Sequence, residues 1–352
     1  MFNPKYQLTN VILNSLTKIS SDKAIIDRAK ILPTAEIKLR RQAILRMTHS
    51  STAIEGNDLN LSQIEAIYAH KKITAPARDI YEIKNYIRAL KYIEKVVSEK
   101  KSLNEKIILK IHRLVTERTL PKDESGKYRT GPVYVVQRRI GLPSLLLYTA
   151  PQYKKIPNLM GGLVKWLNDQ TVDKLNPIIT AAIAHKEIAD FHPFTDGNGR
   201  TARALATLIL YSRGYDFRRL FALEDYYNEN RPAYYQAINT GQKYNSKVDL
   251  TNWIEYFVLG FQKEISEIKF KIVSLSGKKT VVSGEQPIYL SSKQQKILEF
   301  IDQLGKITIK DAVDILSVSR RSAQLELFKL KSAGFIKQIK KGPAAYYVEK
   351  KK

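Results

Sequence analysis

His192-Pro193-Phe194-Thr195-Asp196-Gly197-Asn198-Gly199-Arg200-Thr201-Ala202-Arg203 is the stretch on which the reading of this chain turns. The helix predicted before it, Ile178–Phe191, is opened by Asn176 as N-cap and Pro177 in the first turn. A short loop with glycines at 197 and 199 follows, and these permit unusual φ and close backbone approach. The next helix begins near Asn198, reads as helical over Arg200–Arg213 and is stopped by Gly214. Backbone amides of glycines beside a helix N-terminus make an anion cradle. Arg200 and Arg203 are three apart and share a helix face, so two guanidinium forks can grip one polyphosphate. Asp196 supplies a hard oxygen of the kind Mg²⁺ prefers, with phosphate oxygens and water completing an octahedron. His192 is the side chain of the run suited to act as a base near pH 7. Taken singly, each feature has a plainer reading: a helix-end cap, a turn, a solvated basic face. A base, a metal ligand, a phosphate cradle and two charge clamps within twelve residues make coincidence the weaker account.

Outward from this loop the chain reads as helical. Ile80, Ile83, Ile87, Leu90 and Val97 form one apolar stripe; Ile107, Ile111, Leu114 and Val115 form another. Ser62 with Glu65 three residues on predicts a capping box and a helix start. The β-prone runs Val133–Val136 and Leu145–Tyr148 flank Gln137–Ser144, with Gly141 and Pro143, and predict a hairpin inside the helical domain. Ser276-Gly277-Lys278-Lys279, Ser283-Gly284 and Pro287 read as a linker. Beyond it, Ser291–Lys352 carries fourteen basic and six acidic residues, a net of +8. Its predicted order is helix, helix, turn, helix and two short strands around Lys341-Gly342-Pro343, the layout of a winged helix-turn-helix. There Ser319 would cap a recognition helix to about Ala333, with Ala323, Leu327 and Leu330 inward. Arg320, Arg321 and Gln324 would face a DNA groove, and Lys337, Lys340 and Lys341 would lie on the wing. The plainer alternative is a docking or oligomerisation module.

Composition bounds the rest. The 352 residues suffice for a main domain and a smaller one. With 59 Lys and Arg against 34 Asp and Glu, the net charge of +25 favours polyanionic partners: nucleic acid, nucleotide phosphates or acidic protein surfaces. No cysteine is present, which excludes disulfides, thiolate zinc sites and a cysteine nucleophile. No apolar run has membrane-spanning length and no signal peptide is evident, so a cytoplasmic location is expected. Gly277-Lys278-Lys279-Thr280 imitates the end of a P-loop, but position 272 is Ile where a glycine is required. His49, His70, His112 and His185 have no metal-ligand spacing and read as packing or surface residues.

The run from His192 to Arg203 resembles the signature of the Fic family, His-x-Phe-x-(Asp/Glu)-Gly-Asn-Gly-Arg-x-x-Arg, at every fixed position. The wider resemblance covers roughly residues 30–275 and includes Gly126-Lys127-Tyr128-Arg129 and Tyr234-Tyr235. It implies a Fic-like helical core with the hairpin as a small β-hairpin flap, so that with the C-terminal winged helix-turn-helix read above the expected fold is mainly α. The expected divisions are an N-terminal helical region at 1–100, a Fic core at 101–275, a linker at 276–290 and the winged helix at 291–352. The activity implied is transfer of AMP from ATP to a Ser, Thr or Tyr hydroxyl of a target protein. The resemblance makes His192 the base, Phe194 a buried support for the loop and Asp196 the Mg²⁺ ligand. The Gly197, Asn198 and Gly199 region would hold the phosphates through backbone amides and the side-chain amide of Asn198, Arg200 would neutralise the triphosphate, and Arg203 would hold the γ-phosphate. The related Doc type has lysine at the second motif glycine and phosphorylates instead; Gly199 favours nucleotidyl transfer. Phosphocholine-transferring members share the motif, so it does not fix the substrate.

Ser51-Thr52-Ala53-Ile54-Glu55-Gly56, after the amphipathic stretch Ile37–Met47, resembles the family's inhibitory motif, (Ser/Thr)-x-x-x-Glu-(Gly/Asn). By that resemblance Glu55 reaches Arg203 and blocks the γ-phosphate position, the arrangement of the class with an N-terminal inhibitory helix. The same carboxylate would also position a water for removal of AMP in a bifunctional enzyme. Against the enzyme reading stands a DNA-binding regulator that uses the Fic core as a nucleotide sensor. The partners these readings allow are a target protein, the chain itself, DNA through the winged helix, and a second copy in a homodimer.

Overall fold

The computed structural model describes residues 2–139, 142–169, 171–239, 244–276, 290–339 and 345–350. The first part of the chain is helical: α1 (Asn10–Arg28), α2 (Pro33–Ala53), α3 (Leu61–Tyr68), α4 (Ala77–Ser98) and α5 (Glu105–Thr116). The antiparallel hairpin β1 (Tyr134–Arg139) and β2 (Leu142–Thr149) follows. Helices resume with α6 (Ile156–Leu167), α7 (Pro177–Phe191), α8 (Asn198–Ser212), α9 (Leu223–Glu229), α10 (Arg231–Ile238) and α11 (Thr251–Ser276). The C-terminal unit holds α12 (Ser292–Leu304), β3 (Ile307–Thr308), α13 (Ile309–Leu316), α14 (Arg320–Ser332), β4 (Ile336–Ile339) and β5 (Tyr346–Glu349).

The elements form where local chemistry allows. Asn176 caps α7 through Ile178 N–H, with Pro177 in the first turn. Because α7 is apolar on nearly every side, it is the buried centre of the bundle: Ile178, Ile179, Ile183, Ile188 and Phe191 are all inside. Helix α8 returns against it, and α4, α5 and α11 enclose the pair. The indole of Trp253 on α11, fully buried, donates to Ala182 O at 2.7 Å. The α5 stripe, Ile107, Ile111, Leu114 and Val115, faces this core, as do Leu90 and Val97 of α4, whereas Ile80, Ile83 and Ile87 pack into a second cluster with Leu45, Leu59, Ile64 and Ile67.

The predicted capping box moves. Helix α3 starts at Leu61 with Asn60 as N-cap and Gln63 reaching back to it, and Ser62 donates to Asn60 Oδ1 at 2.7 Å. Ser62 and Glu65 therefore lie inside the helix, because Asn60 offers an equally good cap two residues earlier. Both hairpin strands extend further than the β-prone runs alone, and residues 140–141 of the connection lie outside the described residues. The linker prediction falls on 277–289, also outside them.

The C-terminal unit has its own core of Ile297, Leu298, Ile301, Ala323, Leu327, Leu330 and Ile336. Ser319 caps α14 as expected, and β3, which is only two residues long, adds to β5 and β4 in the order β3-β5-β4. This unit sits on α2: Ile37 joins its core, Arg41 donates to Asp302 O at 3.0 Å and pairs with the Asp302 carboxylate, and Lys38 pairs with Glu349. The same helix ends at the Ser51–Glu55 segment, so α2 runs from the C-terminal unit to the loop after α7.

Candidate active site

Four side chains, Phe194, His112, Asn198 and Arg129, shape the loop between α7 and α8. At the end of α7, His192 turns into the left-handed region (φ 46°, ψ 55°) while its N–H still bonds Ile188 O. Phe194 is fully buried, its ring stacked on His112 of α5 at 3.7 Å between centroids. His112 Nδ1 accepts from Gly126 N–H at 2.9 Å, which leaves Nε2–H to donate to Asp196 O at 2.9 Å. Burial pushes this imidazole down to about 4, so it is neutral and keeps that tautomer. The Asn198 amide closes a two-way clamp on Phe194, accepting from its N–H and donating to its carbonyl, both at 2.9 Å. Asn198 was expected to offer its side-chain amide to phosphate; here that amide is spent on the loop, and its backbone lies at the start of α8. From the far side, Arg129 donates through Nε to His192 O at 2.7 Å and through its backbone N–H to Pro193 O at 2.9 Å. Its Nη1 and Nη2 reach Gly131 O and Pro151 O, which ties the loop to the base of the hairpin.

Gly197 must be glycine on two counts. Its φ is +79°, and a Cβ there would come within 2.6 Å of Thr116 Cγ2. We expect Gly197→Ala to cost about 1–2 kcal/mol for the left-handed backbone alone, with steric strain added. The checks are a lower thermal midpoint and loss of nucleotide binding, measured together.

The chemistry-bearing groups converge over this loop. His192 Nδ1–H donates to Ala189 O at 3.1 Å, so the lone pair is on Nε2. Burial lowers the pKa of this imidazole from its ordinary value, only partly offset by the Ala189 carbonyl and by Glu55, so the free-base form is the resting state at neutral pH. Asp196 keeps its carboxylate partly exposed; Oδ1 accepts from Gly197 N–H at 2.6 Å, and Arg200 and Arg78 approach at 3.4 and 3.5 Å. Arg200 is almost wholly buried; its Nη1 forms an ion pair with Glu82 of α4 at 3.1 Å without hydrogen-bond alignment, and neither Nε nor Nη1 has a hydrogen-bond partner among the described residues. Among the described residues no three His, Cys, Asp or Glu cluster as a ready-made metal cage. A single accessible carboxylate nevertheless suits Mg²⁺, which draws its remaining ligands from phosphate and water.

Arg203 is buried under the end of α2. Its Nε donates to Ser51 Oγ and its Nη2 to Ser51 O, both at 2.9 Å, and Nη2 also reaches Glu55 Oε1 at 2.8 Å. Nη1 stands 3.5 Å from Tyr234 OH, which in turn lies 3.0 Å from His185 Nε2. Burial opposes the Arg203 charge, but Glu55, Tyr234 and Tyr86 more than offset it and hold its pKa above the usual value. Tyr235 OH donates to Ile54 O at 3.1 Å and fixes the turn next to Glu55. The Glu55 carboxylate lies against Gly199, where any Cβ would sit 2.4 Å from Oε1.

The structure thus gathers His192, Asp196, Gly197, Gly199, Arg200, Arg203, Ser51 and Glu55 around one loop. Arg320, Arg321 and Gln324 are exposed at the start of α14 in the C-terminal unit, together with Lys337 on β4; Lys340 and Lys341 lie outside the described residues. Sequence reasoning set His112 aside as packing and gave Arg129 and Glu82 no task. The only hint for Arg129 was its place in the Gly126–Arg129 run.

The helical bundle thus brings a glycine-bearing loop, a neutral imidazole and two arginines together at one helix N-terminus, a chemistry suited to phosphate. Residues 102–210 match the model of the Fic/DOC family. The protein adenylyltransferase fic-1 of Caenorhabditis briggsae is 31% identical over 274 residues, 76% of this chain and 49% of that protein. The protein adenylyltransferase Fic of Nematostella vectensis is 32% identical over 196 residues, 54% of this chain and 43% of that protein. The chain spans about half the length or less of these curated relatives. A Fic family protein from Desulfovibrio desulfuricans G20 has the same fold over 100% of this chain and 99% of that one, with a TM-score of 0.64 and 24% identity. Fic-1 from C. elegans superposes with a TM-score of 0.57 at 25% identity, covering 75% of this chain and 72% of that one.

Proposed function

We propose that this chain is a self-inhibited protein adenylyltransferase that moves AMP from ATP to a Ser, Thr or Tyr hydroxyl of a target protein or of itself. The observation that carries the reading is the convergence of the His192 Nε2 lone pair, the Asp196 carboxylate and the Arg200 and Arg203 guanidiniums on one loop. His192 Nε2 takes the proton of the acceptor hydroxyl as its oxygen attacks the α-phosphorus in line and pyrophosphate leaves. The backbone amides near Gly197 and Gly199, with Arg200, receive the negative charge of the phosphates. Asp196 would hold Mg²⁺, which supplies neutralisation of the phosphate oxygens when bound. Arg203 is the seat for the terminal phosphate, taken at present by Glu55. The test is incubation with ATP labelled at the α-phosphate. Label on protein, dependent on Mg²⁺, supports the reading; label retained wholly in nucleotide while ATP binds counts against it. Loss of the label on later incubation without ATP would mark a bifunctional enzyme with Glu55 orienting the water.

A second activity is suggested by the C-terminal unit, which we read as a winged helix-turn-helix at 291–352, after an N-terminal region at 1–100, a core at 101–275 and a linker at 276–290. Arg320, Arg321 and Gln324 are exposed at the N-terminal end of α14, where such a helix would meet a DNA groove. Leu325 and Phe328 are exposed on the same helix, 52% and 63%, and give it an apolar patch that suits a protein partner instead. DNA titration at rising salt decides between them. Affinity that falls steeply with salt and drops about uniformly across sequences in Lys337→Ala is the DNA outcome. Undetectable binding at low salt leaves α14 to a protein.

A further inference from the structure

The charges around Asp196 close into a ring that reaches back to the inhibitory segment, and its buried corner is Glu82. This residue sits on α4, and its side chain is 4% exposed. Its Oε1 lies 3.1 Å from Arg200 Nη1 and 3.3 Å from Arg78 Nε. Arg78 and Arg200 both approach Asp196, so Glu82, Arg200, Asp196 and Arg78 alternate in sign around a closed circuit. The inner pair, Glu82 and Arg200, is shut off from water; Arg78 is 63% exposed. The other oxygen, Oε2, accepts from Asn57 Nδ2 at 3.0 Å. Asn57 follows Glu55 after the single turn residue Gly56 (φ +93°), and its N–H bonds Thr52 O at 3.1 Å, closing the end of α2. The same side chain donates to Asp79 O at 3.1 Å and accepts from Leu59 N–H at 3.2 Å.

We infer that Glu82 is a positioning residue that links the phosphate clamp to the brake: one carboxylate fixes Arg200 for the triphosphate and, through Asn57, fixes the turn that carries Glu55. The inference rests on the adenylyltransferase reading. A purely structural ion pair would need only one cationic partner. Glu82 instead divides its oxygens, one toward the two arginines that face Asp196 and one toward the loop that places Glu55. Arg200 has few other anchors. Among the described residues its Nη2 faces Asp196 alone, at 3.4 and 3.5 Å, and once Asp196 engages metal and phosphate, Glu82 is the carboxylate left to hold the guanidinium still. Removing a single partner of so buried a pair leaves a guanidinium without its counter-charge, which then moves toward water.

Two variants separate the two arms. In a Glu55→Gly background, where the brake is absent, Glu82→Gln is expected to raise KM for ATP about tenfold and to change kcat by less than about threefold. In the protein that keeps Glu55, Asn57→Ala leaves the Arg200–Glu82 pair in place and is expected to raise automodification several-fold without raising KM for ATP. Glu82→Gln with Glu55→Gly that matches Glu55→Gly alone in both constants overturns the inference, as does a bare fall in thermal midpoint without a KM change. If Glu82→Gln does not fold, Asn57→Ala decides alone: automodification at the parent level sinks the link. A Glu55→Gly protein that binds ATP but transfers nothing removes the adenylyltransferase reading itself, and the inference falls with it by a different route.

Discussion

His192→Ala is expected to bind ATP with near-parental affinity and to lose transfer by about 10²–10⁴-fold, the usual worth of a positioned general base. The expectation follows from the ring's setting. Nδ1–H is committed to Ala189 O, so only Nε2 is free to take a proton, and burial keeps that nitrogen unprotonated at neutral pH. No contact to the phosphate-facing groups is lost in the variant, since Asp196, Arg200 and Arg203 are held by the Phe194–Asn198 clamp, Glu82 and Ser51. Alanine at φ +46° carries a left-handed penalty, so His192→Asn, which tolerates that region, is the control for folding. The pH profile gives a second reading of the same group. Because the pKa is lowered, the base form persists below the ordinary value near 6.5; the acid limb of kcat/KM for the active protein therefore lies below 6.5. Calorimetric ATP binding with α-labelled transfer checks both points. Transfer by His192→Ala at close to the parental rate, or an acid limb above pH 7, would remove His192 as the base.

How far the sequence carries depends on whether a group's partner is near it in the chain. Asn176-Pro177, the helix that follows, Gly197 and Ser319 are read correctly because a cap or a positive φ is decided within four residues, whereas Gly199 lies in α8 without a positive φ and matters for its closeness to Glu55, which is far away in the chain. Ser62 misled because Asn60 competes for the same local role, and local preference alone does not rank two good caps. The two-residue strand β3 has no pattern to read at all. Glu82 was invisible for a different reason. An acidic residue in the first turns of a helix that also holds Arg78, Asp79 and Lys84 looks like a solvated face. Its burial is created by α8 packing against α4 and by the turn after α2 closing over it. His112 shows the converse. Its apolar stripe was legible, but its stacking on Phe194 and its bond to Asp196 O need α5 to lie beside a loop more than eighty residues away. The link from Glu55 to Arg203 spans 148 residues and was legible only through a motif resemblance.

Glu55→Gly is expected to raise automodification by about 10- to 100-fold, as judged by intact mass or α-label after incubation with ATP. The carboxylate occupies two things at once: a bond of 2.8 Å to Arg203 Nη2 and the space over Gly199. A terminal phosphate that seeks Arg203 must first displace it, so the active arrangement is a minor population whose deficit is the free energy of that contact. A coupling of about 1–3 kcal/mol corresponds to about 5–150-fold, and this sets the expected range. The contact is only partly desolvated on the Glu55 side, at 27% exposure, which keeps it in reach of a competing phosphate and argues against a much larger value. Arg203 keeps Ser51 Oγ, Ser51 O and Tyr234 when Glu55 is gone, so the variant should stay folded with only a small shift in thermal midpoint. Glu55→Gln separates charge from bulk: it still fills the space over Gly199 but no longer neutralises Arg203, and its activity should fall between the parent and Glu55→Gly. Equal automodification in all three, with ATP bound by each, would mean that Glu55 marks the end of α2 and restrains nothing.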